Sequence, residues 1–373
     1  MKLQESLLEN WLRRYYFTCK YDLGSSGVRN YSFKELQYLT KFDLSEIENL
    51  IFDDSKTFGD DKLRTMIARR FGNNDPNTVL VGNGSNEVIY IIMNTLLSKN
   101  DEVIILKPIY YALSNVALAL KCKVKYWELS PQDNFYPNID KLKELITTKT
   151  RMVIVNFPHN PTGVTLTKDQ LDHLVKLVSR VGAYLVWDAA FEDLVYNNPP
   201  LPNPFLQYEK TIYINTLTKS YGLAGLRIGW CISSPKILEK CYLLKDYLSL
   251  YVSPLNELIG TYAINNLNNL LKKRLSEVKV NITLLKQWLN ENNNFVYCNL
   301  PKGGVSAFVK LMQYDDTENF CKRLMNNSKV LLIPGKCFNH PQYVRLGFGS
   351  STSDLKKGLM LIQAYQKNRG SKP

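Results

Sequence analysis

Short apolar runs alternate with amphipathic stretches through the middle of the chain. TVLVG at 78–82, EVIILK at 102–107, RMVIVNF at 151–157, AYLVWD at 183–188 and TIYINT at 211–216 are nearly unbroken and rich in β-branched residues. KVKYWEL at 123–129 alternates instead. Between the runs lie stretches of helical apolar spacing, among them GSNEVIYIIMNTLL at 84–97 and KDQLDHLVKLVSRV at 168–181. Strands of this kind, separated by helices, predict a mainly parallel sheet covered on both faces. The last third reads differently. Helical periodicity dominates from Lys236 to about Asn290. Short strands follow at FVYCNL, SAFVKL, KVLLIPG and YVRLGF, with a helix at TENFCKRLMNN. The expected organisation is a large α/β domain at 45–250 and a smaller α+β domain at 251–373. Residues 1–44 form a segment that joins the smaller domain.

Composition narrows the class. The chain has 373 residues, 45% hydrophobic and 22% charged, which excludes a disordered, collagenous or coiled-coil chain. No run approaches the roughly 18 apolar residues of a membrane span. The N-terminal MKLQESLLENWLRRYY breaks the apolar core that a signal peptide needs, so a cytoplasmic protein is expected. The net charge is +13, but the basic residues are scattered. The densest cluster, Lys272-Lys273-Arg274, lies in a helical pattern and reads as a solvated face rather than a nucleic-acid patch. The seven Cys form no C-x-x-C pair and there are three His, so neither a disulfide framework nor a metal site is expected.

Candidate chemistry gathers at strand ends. GNGSNE at 82–87 joins a strand to a helix, and reads either as an anion site of backbone N–H groups or as a plain cap by Ser85 or Asn86. NFPHNPTG at 156–163 is a rigid turn that aims Asn160 over the sheet edge. Asp188 ends a hydrophobic strand, where a carboxylate needs a cap or a cation. In TLTKSYGLAGLRIGW at 216–230, Lys219 reads as a loop lysine or as a desolvated amine able to form a Schiff base. Arg227 follows and can clamp a phosphate. Ligands of parallel sheets bind at the strand carboxyl ends, where all these groups fall.

In these motifs and their order the sequence resembles the fold type I, pyridoxal-phosphate-dependent aminotransferase family, over nearly the whole chain. The resemblance implies a seven-stranded, mainly parallel sheet with flanking helices, pyridoxal 5'-phosphate as cofactor, and a homodimer with a shared active site. It implies that Lys219 holds the cofactor covalently and is the acid–base for the α-proton, and that Asp188 pairs with the pyridinium nitrogen. Asn160 and the residue at Phe191 flank the ring hydroxyl, and Tyr110 stacks on the ring. Ser85, Asn86, Thr216 and Arg227 form the phosphate cup. Arg345 grips the substrate α-carboxylate, together with the backbone at Gly27. LSLYVSPLNELIG at 248–260 is the candidate contributor to a partner's site.

Two departures bear on the reaction. Phe191 stands where the family commonly has a Tyr, and Asp54 stands where a Tyr five residues before the glycine of G-x-x-x-L-R is frequent. Both count against simple transamination. LENWLRRYYF, SSGVRNYSF, NFPHNPTG, LVWDAAFEDLV and TLTKSYGLAGLRIGWC further resemble capreomycidine synthase and related hydroxyarginine cyclases. A guanidinium-bearing substrate is then implied, and Glu9, Asp53 and Asp54 are the candidates to meet it. A γ-hydroxyl would give five-membered L-enduracididine, and a β-hydroxyl six-membered capreomycidine. An ordinary aminotransferase, a lyase or decarboxylase, and a non-catalytic binding protein are the rival readings.

Overall fold

The protein is described here by a computed structural model covering residues 2–370. Strand β1 is Tyr21–Asp22. β2 (Val79–Asn83), β3 (Glu102–Lys107), β4 (Lys123–Glu128), β5 (Thr150–Asn156), β6 (Tyr184–Asp188), β7 (Thr211–Thr216) and β8 (Ile228–Ile232) form one sheet in the order β2-β8-β7-β6-β5-β3-β4. All neighbours are parallel except β8, which runs antiparallel to both β2 and β7. Six of these strands match the apolar runs of the sequence. β8 was absorbed into the tail of the glycine-rich motif, because RIGWCI follows it without a turn signal of its own. Its direction follows from the short connection after β7, since a parallel return needs a crossover of a dozen or more residues.

Alternate residues of each strand face separate cores. Val79, Val81, Val153, Val155, Leu185, Trp187 and Trp230 enter one, with Leu171, Leu174 and Val178 of the helix Lys168–Arg180. Leu80, Val103, Ile105, Ile154, Val186 and Ile214 enter the other, with Val88, Ile92 and Met93 of the helix Ser85–Leu96. Burial on both faces accounts for the unbroken apolar runs.

A second sheet holds β9 (Val296–Tyr297), β10 (Ser306–Leu311), β12 (Ile333–Pro334) and β13 (Tyr343–Gly347), antiparallel in the order β12-β13-β10-β9. β11 (Val330–Leu331) instead pairs in parallel with β1. The N-terminal helix Leu7–Tyr15 is tied to the same region, because the indole Nε1 of Trp11 donates to Leu332 O at 2.8 Å. The long helical stretch after β8 is broken into Pro235–Leu238, Tyr242–Leu248, Pro254–Asn265 and Leu267–Glu291. The basic cluster on the last of these is not a uniform solvated face. Arg274 is fully buried, with its guanidinium 3.7 Å from the Tyr31 ring centre and ion-paired to Glu277 at 3.0 Å. Among the described residues no helix is long and apolar enough to cross a membrane.

Candidate active site

The carboxyl ends of β2, β3, β5, β6 and β7 share one sheet edge, and a cavity of about 190 Å³ lies over it. Ten of the sequence-derived residues line it: Glu9, Ser85, Asn86, Tyr110, Asn160, Asp188, Phe191, Lys219, Arg227 and Arg345.

Asp188 is the last residue of β6 and is buried. Its Oδ1 accepts from Ala190 N at 3.0 Å. Burial pushes its carboxyl up to about 6, against the opposing pull of the Ala190 N–H and the Lys219 charge. Lys219 lies in the loop after β7. Burial, and then the charge of Arg345, bring its amine down to about 8, while Glu9 and Asp188 oppose the fall. A lysine so shifted offers a free amine near neutral pH far more often than a surface lysine does.

The helix Ser85–Leu96 starts at Gly84, φ +86, with no side chain capping its first turn. A Cβ at Gly229 on β8 would lie 2.3 Å from Ser85 N, so a bare backbone is what lets β8 press against the helix start. Arg227, at φ 54, lies across it and donates to Ala224 O at 3.1 Å and Asn83 O at 3.4 Å. A Cβ on Gly84 would meet Arg227 Nη2 at 2.3 Å. Open N–H groups beside a guanidinium make an anion site fit for a phosphate.

Tyr110 sits above this cup, held by Asn86 Nδ2, which donates to its hydroxyl at 3.1 Å. Arg345, on β13, is 2% exposed. It donates through Nε and Nη2 to Gly24 O at 3.1 and 2.7 Å, and through Nη1 to Asn160 Oδ1 at 3.2 Å. That last bond turns the Asn160 amide so that its NH₂ is left for a ligand. Burial lowers the Arg345 guanidinium to about 10, still fully charged near neutrality. Glu9 reaches the cavity from the helix Leu7–Tyr15, whose start is capped by Ser6 Oγ accepting from Glu9 N at 3.1 Å. Together the residues fit pyridoxal 5'-phosphate: a phosphate cup, a stacking ring, an acid for the ring nitrogen, an amide for the ring oxygen and an amine for the aldehyde.

Four expected residues lie elsewhere. Gly27 lines a second cavity of about 710 Å³ that adjoins the first across Glu9, Leu12, Thr218 and Lys219. Thr216 is 1% exposed and lies just behind the cavity wall, its hydroxyl within 2.9 Å of both Ile228 O and the Oγ1 of Thr218, which lines the cavity. Asp53 and Asp54 are exposed and outside both cavities, and Asp54 accepts from the Tyr251 hydroxyl.

Other residues of the site escaped the sequence reading. Leu8, Leu12 and Ile89 supply an apolar wall, and Leu8, Glu9 and Leu12 share a face by helical spacing that could have flagged them. Asn156 binds Asp188 O through Nδ2 at 3.0 Å and Asn160 N through Oδ1 at 2.9 Å. His159 joins the loops of Tyr110 and Asn160. Its Nε2–H donates to Pro108 O at 2.6 Å, which fixes the tautomer, so its Nδ1 accepts from Thr162 Oγ1 at 2.7 Å. Burial lowers it to about 4 and keeps it neutral.

Fold and site define a fold type I enzyme dependent on pyridoxal phosphate, and the chain belongs to the aminotransferase class I and II family, matched over residues 51–362. Its similarity runs further to particular members. It is 36% identical to capreomycidine synthase of Streptomyces vinaceus over 357 residues, covering 95% of this chain and 92% of that one. The solved structure of the PLP-dependent cyclase OrfR superposes with a TM-score of 0.93 at 33% identity, covering 99% of this chain and 98% of that one. A PLP-dependent aminotransferase from Streptococcus suis gives 0.94 at 26% identity, with 100% of both chains covered.

Proposed function

We propose that this enzyme cyclises γ-hydroxy-L-arginine to L-enduracididine, in specialised-metabolite biosynthesis of the guanitoxin type. The observation that carries the reading is the pair of charges in one small cavity: Arg345 for an α-carboxylate and Glu9 for a guanidinium, with Lys219 between their fields. Similarity to a capreomycidine synthase and to a PLP-dependent cyclase supports it.

Bound in this cavity, pyridoxal phosphate supplies an electron sink that makes the substrate's α- and β-hydrogens acidic. Asp188 holds a proton at the ring nitrogen. Lys219 takes the α-proton and later returns it. Glu9 pairs with the guanidinium and brings the chain to fold back. Leu8, Leu12, Ile89 and Phe191 exclude water. The balance is closed: a β-proton leaves after the α-proton, the γ-C–O bond breaks and hydroxide leaves as water with one proton, a guanidino nitrogen bonds to Cγ and gives up its own proton, and protons return to Cβ and Cα. Nothing is oxidised or reduced, so no keto acid partner is needed.

The 36% identity to capreomycidine synthase favours a second substrate, β-hydroxyarginine, with closure to the six-membered capreomycidine ring. The test incubates the purified enzyme with each hydroxyarginine in deuterium oxide and reads products by mass spectrometry and NMR. Loss of water with deuterium at Cα and Cβ and a five-membered ring from the γ-isomer support the proposal. A six-membered ring from the β-isomer alone selects the second reading, and a new keto acid formed with an added α-keto acid selects aminotransfer. No cyclic product from either isomer ends the cyclase reading.

Two copies are proposed to assemble. Ile51, Phe52, Leu243 and Tyr247 are each more than 70% exposed, and the two segments that carry them are joined by the stacked Phe58–Tyr242 pair and the Asp54–Tyr251 contact. A second copy covering this face would carry Asp53, Asp54 and the 248–260 segment towards its neighbour's cavity.

A further inference from the structure

The loop that carries Lys219 is tied at both ends to the turn that follows Asp188. Before the lysine, Asn215 Nδ2 donates to Glu192 Oε1 at 2.8 Å, while Asn215 Oδ1 accepts from Thr216 N at 2.7 Å. After it, the Tyr221 hydroxyl donates to Asp193. Between these ties, Ser220 Oγ donates to Ala190 O at 3.2 Å. Tyr221, Ser220, Asn215 and Asp193 are all buried. None of these groups, nor Glu192, lines either cavity.

The arrangement is costly for a mere tether. It places two consecutive carboxylates side by side, with one cation within reach, Arg70, whose Nη2 stands 3.4 Å from Asp193. Burial and the Asp193 charge push the Glu192 carboxyl up to about 8, against the Tyr213 and Asn215 hydrogen bonds and the Arg70 charge. Held there, Glu192 is mostly the neutral acid near pH 7, and a plain amide would join the two loops without displacing a carboxyl's titration in this way. What the acids gain is that the turn they tie down begins at Asp188 and includes Phe191.

We infer that Glu192 and Asp193 are positioning residues that fix the distance and orientation between the Lys219 amine and the Asp188 carboxylate. Asp188 ends β6 while Lys219 lies in the loop beyond β7, and hydrogen bonds between the two strands do not control that loop. Two ties flanking Lys219 remove the freedom that remains. The inference rests on the roles of Lys219 and Asp188 in pyridoxal-phosphate chemistry, and it is independent of which substrate is cyclised.

The primary test is spectroscopic and uses the holoenzyme without substrate, with turnover kinetics as a second readout. The pH midpoint of the bound cofactor's visible absorbance reports the field at the Lys219 amine, to which Asp188, Glu9, Arg345 and Arg227 also contribute. Tyr221→Phe removes one tie, and Asp193→Ala removes its acceptor. Each is expected to move the midpoint by about half a pH unit or more and to lower kcat roughly tenfold, with KM changing less than about twofold. Asp193→Asn keeps an acceptor for Tyr221 and is expected to restore most of the wild-type value. Arg70→Gln, on the outer side of the cluster, covers the case in which the buried variants do not fold, and is expected to move the midpoint in the same direction. Midpoints unchanged in Tyr221→Phe and Arg70→Gln, or a loss in Asp193→Ala that Asp193→Asn does not restore, would overturn the inference. Failure of cyclisation with every hydroxyarginine leaves this spectroscopic test intact.

Discussion

Lys219 and Asp188 are held where their charged forms are disfavoured, and this has a measurable sign. The folded amine is lowered from the ordinary lysine value to about 8, so the charged lysine costs stability below that pH. Stability contributed by the neutral amine is complete above the unfolded value and is lost as pH falls through about 8. Lys219→Met is therefore expected to raise the melting temperature of the cofactor-free protein at pH 7 by a few degrees. The gain should shrink above about pH 8, and calorimetry across pH checks it, with a gain independent of pH counting against the assignment. The same variant loses covalent cofactor and activity. His159 offers a second case. His159→Phe leaves Pro108 O and Thr162 Oγ1 without their partner, at a cost of about 1–3 kcal/mol, read by denaturant unfolding together with weaker cofactor retention. Asp188 and Lys219 were legible because polar residues closing apolar strands stand out. The role of His159 was not, since its partner at Pro108 lies on another strand's loop.

At the scale of elements, the phosphate cup depends on two backbones meeting without side chains. Gly229→Ala puts a methyl 2.3 Å from Ser85 N, so strand β8 or the helix start must move. Cofactor affinity is expected to fall about tenfold or more, ~1.4 kcal/mol or above, measured by equilibrium dialysis on a protein whose circular dichroism is unchanged. Unaltered affinity would mean that the cup does not need that approach. The N-terminal helix is the second device. Trp11→Phe removes the bond to Leu332 O, worth about 1 kcal/mol, and loosens the element that carries Leu8, Glu9 and Leu12 into the cavity. KM for the amino-acid substrate is expected to rise several-fold with little change in melting temperature. The strand runs announced six elements of the large sheet. β8 went unseen because its apolar run is short and merges with the preceding motif.

At the scale of the whole molecule, the exposed apolar face around Phe52 and Tyr247 calls for a cover. Light scattering is expected to give twice the 43.0 kDa chain mass. Phe52→Asp combined with Tyr247→Asp is expected to give the single-chain mass and to lower activity, because residues brought by the second copy are lost. A monomer that keeps full activity would remove Asp53 and Asp54 from the substrate site. Their exposure within one chain shows why one sequence position can look chemically apt and still lie far from its own cavity.

The sequence by itself determined six strands of the large sheet and the order of the site residues along them, because strand periodicity and strand-end polarity are local, and its motifs carried the resemblance to the family. Tertiary structure alone decided that Thr218 lines the cavity with Thr216 behind it, and that Arg274 is buried. It also decided that Glu9 lines the same cavity as Lys219 and that Glu192 and Asp193 bond to the segments flanking it. Those outcomes depend on distances between segments far apart in the chain, and such distances are set by packing rather than by local pattern.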